Sequence, residues 1–336
     1  MLSMNIMLIV VIVLAISFDF INGFHDTANA IATSVATRVL PIRTAIIMAA
    51  VLNFIGAFMS EKVARTISSG IVTDEKMLSL PVVTAALLAA IIWNLLTWYF
   101  GIPSSSSHAL IGGLIGASVV HSFSLSVVSW ETVLQKVIFP LLASPILGYL
   151  AGFIFMKFLF KVLSKVSNSI VTRVFSKLQI VSAAFMAFAH GSNDAQKSMG
   201  IISLALLISG NMTASDHIPS WVKVACALAM ALGTSIGGWK IIKTMGVNMI
   251  KLQPIGGFAA ETGAALVIET ATAFGMPVST THVISTAIMG VGSSKRLSAV
   301  RWSLARNIVW AWVLTIPLTM LLGGVITSIF TFFKLT

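Results

Sequence analysis

Long apolar runs without polar alternation punctuate the chain. Residues 4–18 carry one apolar stretch with no charge, and similar runs occupy about 42–59, 80–102, 132–156, 178–190, 198–210, 219–238, 255–275 and 302–333. A spanning helix needs about 20 mostly apolar residues, and a barrel strand about ten with alternation. The pattern therefore predicts membrane helices. No Lys or Arg precedes the first run. It lacks the charged start of a signal peptide and reads as a retained first helix.

Composition agrees with the pattern. Hydrophobic residues make up 57% of the 336 and charged residues 9%. A soluble domain carries about 25% charged residues, so this chain could not cover a water-facing surface of its size. Disorder, a collagen-like rod and a disulfide scaffold are excluded, the last because Cys226 is the single cysteine. The net charge of +11 raises the question of nucleic acid. The placement of the charges answers it. Arg38 and Arg43 share one loop, and Lys161, Lys165, Arg173 and Lys177 a second. Lys240, Lys243 and Lys251 lie around a third, and Lys295, Arg296 and Arg301 around a fourth. With these loops in the cytoplasm, the positive-inside rule gives about ten crossings and places both termini outside. The excess reads as an orientation signal that also meets anionic lipid, with no nucleic-acid partner. The expected fold is an all-α polytopic membrane protein of about ten segments.

The chain also repeats itself. His25-Asp26-Thr27-Ala28-Asn29 parallels Asn193-Asp194-Ala195-Gln196-Lys197, at an offset of 168. Gly101-Ile102-Pro103-Ser104-Ser105-Ser106-Ser107-His108 parallels Gly275-Met276-Pro277-Val278-Ser279-Thr280-Thr281-His282, at an offset of 174. Each half reads as five segments, and an odd number turns the second copy upside down, the inverted-repeat plan of secondary transporters. The expected units are a first repeat over 1–160, a basic amphipathic cytoplasmic linker over 161–177 and a second repeat over 178–336.

Both motifs set polar residues and helix breakers into apolar sequence. Gly23 and Gly191 weaken a helix, and Pro103 and Pro277 suit a helix start. Irregular backbone at membrane depth survives where it lines a cavity or is buried in protein. The expectation is a set of broken helices meeting near the midplane. Ser104, Ser105, Ser106, Ser279, Thr280 and Thr281 then offer hydroxyls at helix N-termini, a setting for an anion. The plainer alternative is that they are N-caps.

Five carboxylates lie in or beside apolar runs: Asp19, Asp26, Asp194, Glu261 and Glu269. Such groups are expensive in a membrane and functional by default. Asp26 and Asp194 are repeat mates that could bind a cation, accept a proton, or accept an O–H from a substrate. Phosphate near neutral pH still carries a proton and sulfate does not, so the last role would select phosphate. Asp19 and Glu269 stand open between structural pairing and function. Four histidines, His25, His108, His190 and His282, lie in the motifs. His108 and His282 are expected to bond nearby backbone carbonyls, while His25, beside Asp26, keeps a coupling role open. An intramembrane enzyme using His25, Asp26, His190 and Asp194 as metal ligands is the rival from another class. It lacks an HExxH helix or a nucleophile elbow. A passive channel is the third reading.

These residues resemble the inorganic phosphate transporter (PiT) family, and within it the bacterial low-affinity branch. Its signature is a Gly-x-Asn-Asp-x-Ala-Asn motif in each half with a Pro-x-Ser-x-Thr-His type motif in each re-entrant helical hairpin. The resemblance covers almost the whole chain. It implies a symporter for inorganic phosphate, not an enzyme and without a resident cofactor, working by alternating access around a midplane anion site. It implies a homodimer in the inner (plasma) membrane. It carries the phosphate site onto Asp26, Asn29, Ser105, Ser106, Asn193, Asp194, Ser279, Thr280 and Thr281, and Glu261 onto a family position linked to transport. From the residues themselves, Ser104 and Lys197 are expected to join the phosphate site, and His25, Asp26, Asp194 and Glu261 to serve coupling. No dedicated metal site is assigned. His25 stands where the family has Asn, and Lys197 where the first copy has Asn29. Both departures set a potential positive charge where relatives hold a metal cation. They favour H⁺ over Na⁺ as the coupling ion, with phosphate possible as a Mg²⁺ or Ca²⁺ complex. Sodium coupling, and a permease for sulfate or another oxyanion, are the alternatives.

Overall fold

The computed structural model describes residues 2–70, 79–213, 215–236 and 238–334, built from helices joined by short turns. The first half runs α1 (Leu2–Ala36), α2 (Ile42–Gly56), α3 (Lys62–Gly70), α4 (Leu80–Phe100), α5 (Ser106–Ser122), α6 (Trp130–Thr132) and α7 (Phe139–Val162). A π-helical stretch, Val133–Ile138, joins α6 to α7. The second half runs α8 (Asn168–Ile208), α9 (Ser220–Ile236), α10 (Trp239–Ile242), α11 (Pro254–Ala273), α12 (Thr280–Lys295) and α13 (Trp302–Phe332). Among the described residues, five spans are long and apolar enough to cross a bilayer: Met4–Ala36, Leu80–Phe100, Trp130–Val162, Asn168–Ile208 and Trp302–Phe332.

Burial is inverted relative to a protein in water. Ile47 and Leu142 are 65% and 66% exposed, whereas Asp19, Asn22, His25, Asp194 and Lys197 are buried. Hydrocarbon rewards this arrangement, because polar groups there must find partners inside the protein. The chain is a multi-pass membrane protein.

The Pro-Ser motifs form the bends of two helical hairpins, α4–α5 and α11–α12. Gly101 and Gly275 turn the chain with φ of 67° and 68°, a left-handed conformation that glycine enters without a Cβ penalty. A short irregular segment through Pro103 or Pro277 then leads into α5 or α12.

The helix breaks expected at Gly23 and Gly191 do not occur. α1 and α8 run unbroken through both motifs, and the runs at 178–190 and 198–210 belong to one helix. The glycines serve close packing instead. A Cβ on Gly23 would collide with the carbonyl of Met230 on α9, and one on Gly191 with that of Asn53 on α2. The linker expected over 161–177 is also not a separate helix. α7 ends at Val162, and from Asn168 the chain is already α8. Its apolar spacing is the outer face of that helix, with Ile170 and Val174 exposed.

Two apolar clusters fill the interior. One joins residues 8–18 of α1 and 195–206 of α8 to α4, α5 and α9. The other joins residues 28–32 of α1 and 175–189 of α8 to α7, α11 and α12. Each cluster therefore draws on both halves of the sequence. The halves interlock pairwise: α5 lies along α13 and α12 along α7, while α1 packs on α9 and α8 on α2. Asp26 and Asp194 lie on the stretches of α1 and α8 that pass from one cluster to the other.

Candidate functional site

Asp26 is the meeting point of both hairpins. Ser106, in the first turn of α5, donates to its Oδ2 at 2.7 Å. Thr281, in the first turn of α12, donates to Oδ1 at 3.1 Å. His25 Nδ1 stands 2.7 Å from the same Oδ1. On its other side His25 Nε2 meets Thr97 Oγ1 of α4 at 3.0 Å, and Ser104 donates to that hydroxyl at 2.8 Å. Asn94, also on α4, donates to Ser106 Oγ at 3.1 Å. The group is buried throughout.

Asp194 repeats the plan on α8. Thr280 donates to its Oδ2 at 3.3 Å, as does Asn22 Nδ2 at 3.3 Å. Lys197 Nζ lies 2.7 Å from Oδ1, and His190 Nε2 lies 3.5 Å from Oδ2. Asn193 donates to Thr272 Oγ1 of α11 at 2.8 Å. The contact of Asp26 with Ser106 thus has its counterpart in Asp194 with Thr280, and that of His25 with Thr97 in Asn193 with Thr272. The two bends also touch, through Ser107 donating to the Val278 carbonyl at 3.1 Å.

The hydroxyls divide by role. Ser105 and Ser279 accept the backbone N–H of His108 and His282, each at 3.2 Å. They are N-caps, the plainer of the two readings. Ser106, Thr280 and Thr281 point at carboxylates instead. His108 and His282 do not bond backbone carbonyls as expected. Their rings meet edge to face at 4.6 Å, and His282 stacks on Trp312 at 3.9 Å. Trp312 in turn donates to the Pro103 carbonyl at 2.9 Å. Aromatic packing across the two halves holds these imidazoles.

Glu261 does not join the central group. On α11 it accepts hydrogen bonds from Thr33, Ser182 and Gln179, the last at 3.3 Å. Thr33 lies about two helical turns beyond Asp26 along α1. Glu269 sits partly exposed on α11. Asn29 lies on α1, and its side chain is outside the described residues. Replacing Glu261 by Ala removes the acceptor of three buried donors. Ser182 can still donate to the Gln179 carbonyl at 3.1 Å, whereas the bonds lost by Thr33 and Gln179 cost about 1–3 kcal/mol each. The melting temperature in detergent is expected to fall clearly; an unchanged value would mean that these bonds are not made in the membrane-extracted protein.

Several neighbours of the centre fall outside the repeated motifs. Asn53 on α2 donates to Thr27 and Thr234 at 3.0 and 3.1 Å, and His190 Nδ1 lies 3.1 Å from its Oδ1. Asn22, Asn94 and Thr97 complete the surround. The available signal was a lone amide inside an apolar run, as at Asn53 and Asn94, which a membrane helix does not carry without a partner.

The arrangement sets two carboxylates, one ammonium, two imidazoles and the N-termini of two helices in a buried centre. Such a centre can turn its hydroxyl donors from the carboxylates to the oxygens of an oxyanion and pass protons. Comparison with known proteins gives the family. The phosphate transporter family profile matches residues 22–171 and 162–323. A protein of Bacillus subtilis (strain 168), named a probable low-affinity inorganic phosphate transporter, is 49% identical over 95% of this chain and 96% of its own length. One of Rhizobium meliloti (strain 1021), with the same name, is 46% identical over 95% of each. A solved structure titled "The sodium-dependent phosphate transporter" superposes with a TM-score of 0.86 at 25% identity, covering 97% of this chain and 99% of that one. These relatives are named for transport and not for catalysis, and the chain belongs to the phosphate transporter family.

Proposed function

We propose that the chain is a secondary active symporter that carries inorganic phosphate with protons. One observation supports the coupling ion: both central carboxylates already hold a nitrogen group of the protein, Lys197 at 2.7 Å from Asp194 and His25 at 2.7 Å from Asp26. A metal cation at either place would have to displace a built-in partner. Phosphate would take over the hydroxyls of Ser104, Ser106, Thr280 and Thr281, with Asn193 beside them. Ser105 and Ser279 would act through the capped N-termini they hold in place. Its remaining O–H would be donated to Asp26 or Asp194, a bond that sulfate cannot make.

Alternating access in such proteins is rigid-body rocking around a fixed site. Since each apolar cluster mixes both halves, the moving bodies in this reading are the clusters and not the sequence halves. α1 and α8 would flex where they cross between them. The same reading includes the inverted repeats, ten segments when the hairpins are counted as re-entrant, and extracytoplasmic termini in the inner membrane. It includes a homodimer, and phosphate moving as a Mg²⁺ or Ca²⁺ complex.

Proteoliposomes with separate pH and Na⁺ gradients test it. Labelled phosphate is expected to accumulate when the outside is acidic, with or without Na⁺, and unlabelled sulfate is expected not to compete. Accumulation that needs Na⁺ and ignores pH would overturn proton coupling, and competition by sulfate would overturn the role given to the carboxylates.

A further inference from the structure

Asp19 lies on α1 seven residues before Asp26, about two turns away, where α1 enters the first apolar cluster. Its side chain is 0% exposed, and neither oxygen has a hydrogen-bond partner of good geometry. Ser198 of α8 and the thiol of Cys226 on α9, also buried, are the uncharged polar groups that act on it. Asp194 and Lys197, both on α8, are the charged groups that act on it. α4 packs against α1 as well and has no acidic or basic residue. An ionised carboxylate enclosed in this way, without a partner, is too costly to persist, so the group must hold a cation or a proton. A hard cation gathers about six oxygen ligands. Asp19 offers its carboxylate and one hydroxyl beside a sulfur, which suits a hard ion poorly.

We propose that Asp19 is the site that carries the coupled proton. In this conformation its carboxyl is protonated. When the carrier turns toward the cytoplasm, the proton passes to water there and the carboxylate left behind attracts Lys197. The ammonium is then shared between Asp19 and Asp194, which alters the charge presented to phosphate at the central site. Proton release and anion occupancy are linked through Lys197. This rests on the proton-coupled reading above and assigns its carrier.

Asp19→Asn keeps the shape and removes the proton. In proteoliposomes, two assays separate its effects: exchange of labelled for unlabelled phosphate without a gradient, and accumulation driven by a pH gradient. One pH unit across the membrane supports about tenfold accumulation per coupled proton. The variant is expected to keep exchange and to lose this accumulation, and Asp19→Glu is expected to restore part of it. Accumulation equal to wild type would overturn the proposal. So would loss of exchange in a well-folded variant, because Asp19 would then serve phosphate passage itself. If wild type fails to respond to pH, the proton-coupled reading fails. Infrared spectra then still decide the state of Asp19. A carboxyl band of an unbonded, protonated acid should persist in wild type above neutral pH, shift in Asp19→Glu and vanish in Asp19→Asn. A wild-type spectrum without that band overturns the proposal even if Asp19→Asn does not fold.

Discussion

Replacing Asp26 by Asn is expected to cut phosphate uptake about 10- to 100-fold, because hydrogen bonds to a charged group are each worth about 1.5–3 kcal/mol. The carboxylate accepts from Ser106 at 2.7 Å and from Thr281 at 3.1 Å, and it faces His25 at 2.7 Å. An amide offers one acceptor oxygen, and its NH₂ meets the other hydroxyl donor head on. The first turns of α5 and α12 would no longer be drawn to one point, and the pocket would lose the acceptor for the O–H of phosphate. The change is nearly isosteric, so the protein should still fold. Labelled uptake, normalised to protein that elutes as a single species, measures the effect. The residual activity should also discriminate less against sulfate, since the repelling charge is gone. Uptake equal to wild type would remove Asp26 from the substrate site.

How much of this centre was legible in the sequence depended on what each residue signalled alone. The duplicated Asp26 and Asp194 stood out because a carboxylate in an apolar run is rare and its repeat at a fixed offset rarer still. The hairpin bends were legible because Gly101 and Gly275 precede prolines in the same register, and both adopt the left-handed turn. Gly23 and Gly191 misled. A glycine weakens a helix, but it also lets a neighbouring backbone approach, and the sequence does not say which applies. Packing decided it, through the carbonyls of Met230 and Asn53. Polar motif residues likewise suggested an interrupted helix, yet side-chain partners from α4, α5, α11 and α12 satisfy them and the helices stay whole. Glu261 could not be placed by its own segment, because its partners Thr33, Ser182 and Gln179 come from two distant helices. The role of Lys197 depended on the same kind of information, since only the fold shows how deeply it is enclosed.

Lys197→Asn is expected to turn a transporter indifferent to Na⁺ into one that needs it. The ammonium is 1% exposed and lies 2.7 Å from Asp194 Oδ1. Removing one member of a buried ion pair costs about 3–5 kcal/mol, because the other charge stays enclosed without a partner. Uptake in Na⁺-free buffer should therefore fall at least about tenfold, each 1.4 kcal/mol being one factor of ten, and the melting temperature should fall with it. Asn is the residue that the first repeat carries at the matching place, Asn29, so the variant makes the two motif copies more alike. With the ammonium gone, a small cation can sit against Asp194. Any ion that binds the folded state alone stabilises it in proportion to the logarithm of its concentration. Added Na⁺ should then raise both melting temperature and uptake of the variant, K⁺ should do so much less, and wild type should show neither response. The double variant Lys197→Asn/Asp194→Asn supplies the control. Without an unpaired charge it should recover much of the melting temperature but not uptake, and Na⁺ should no longer affect it. A single variant that transports as wild type does in Na⁺-free buffer would show that Lys197 is not the built-in cation of this site, and proton coupling would lose its main structural support.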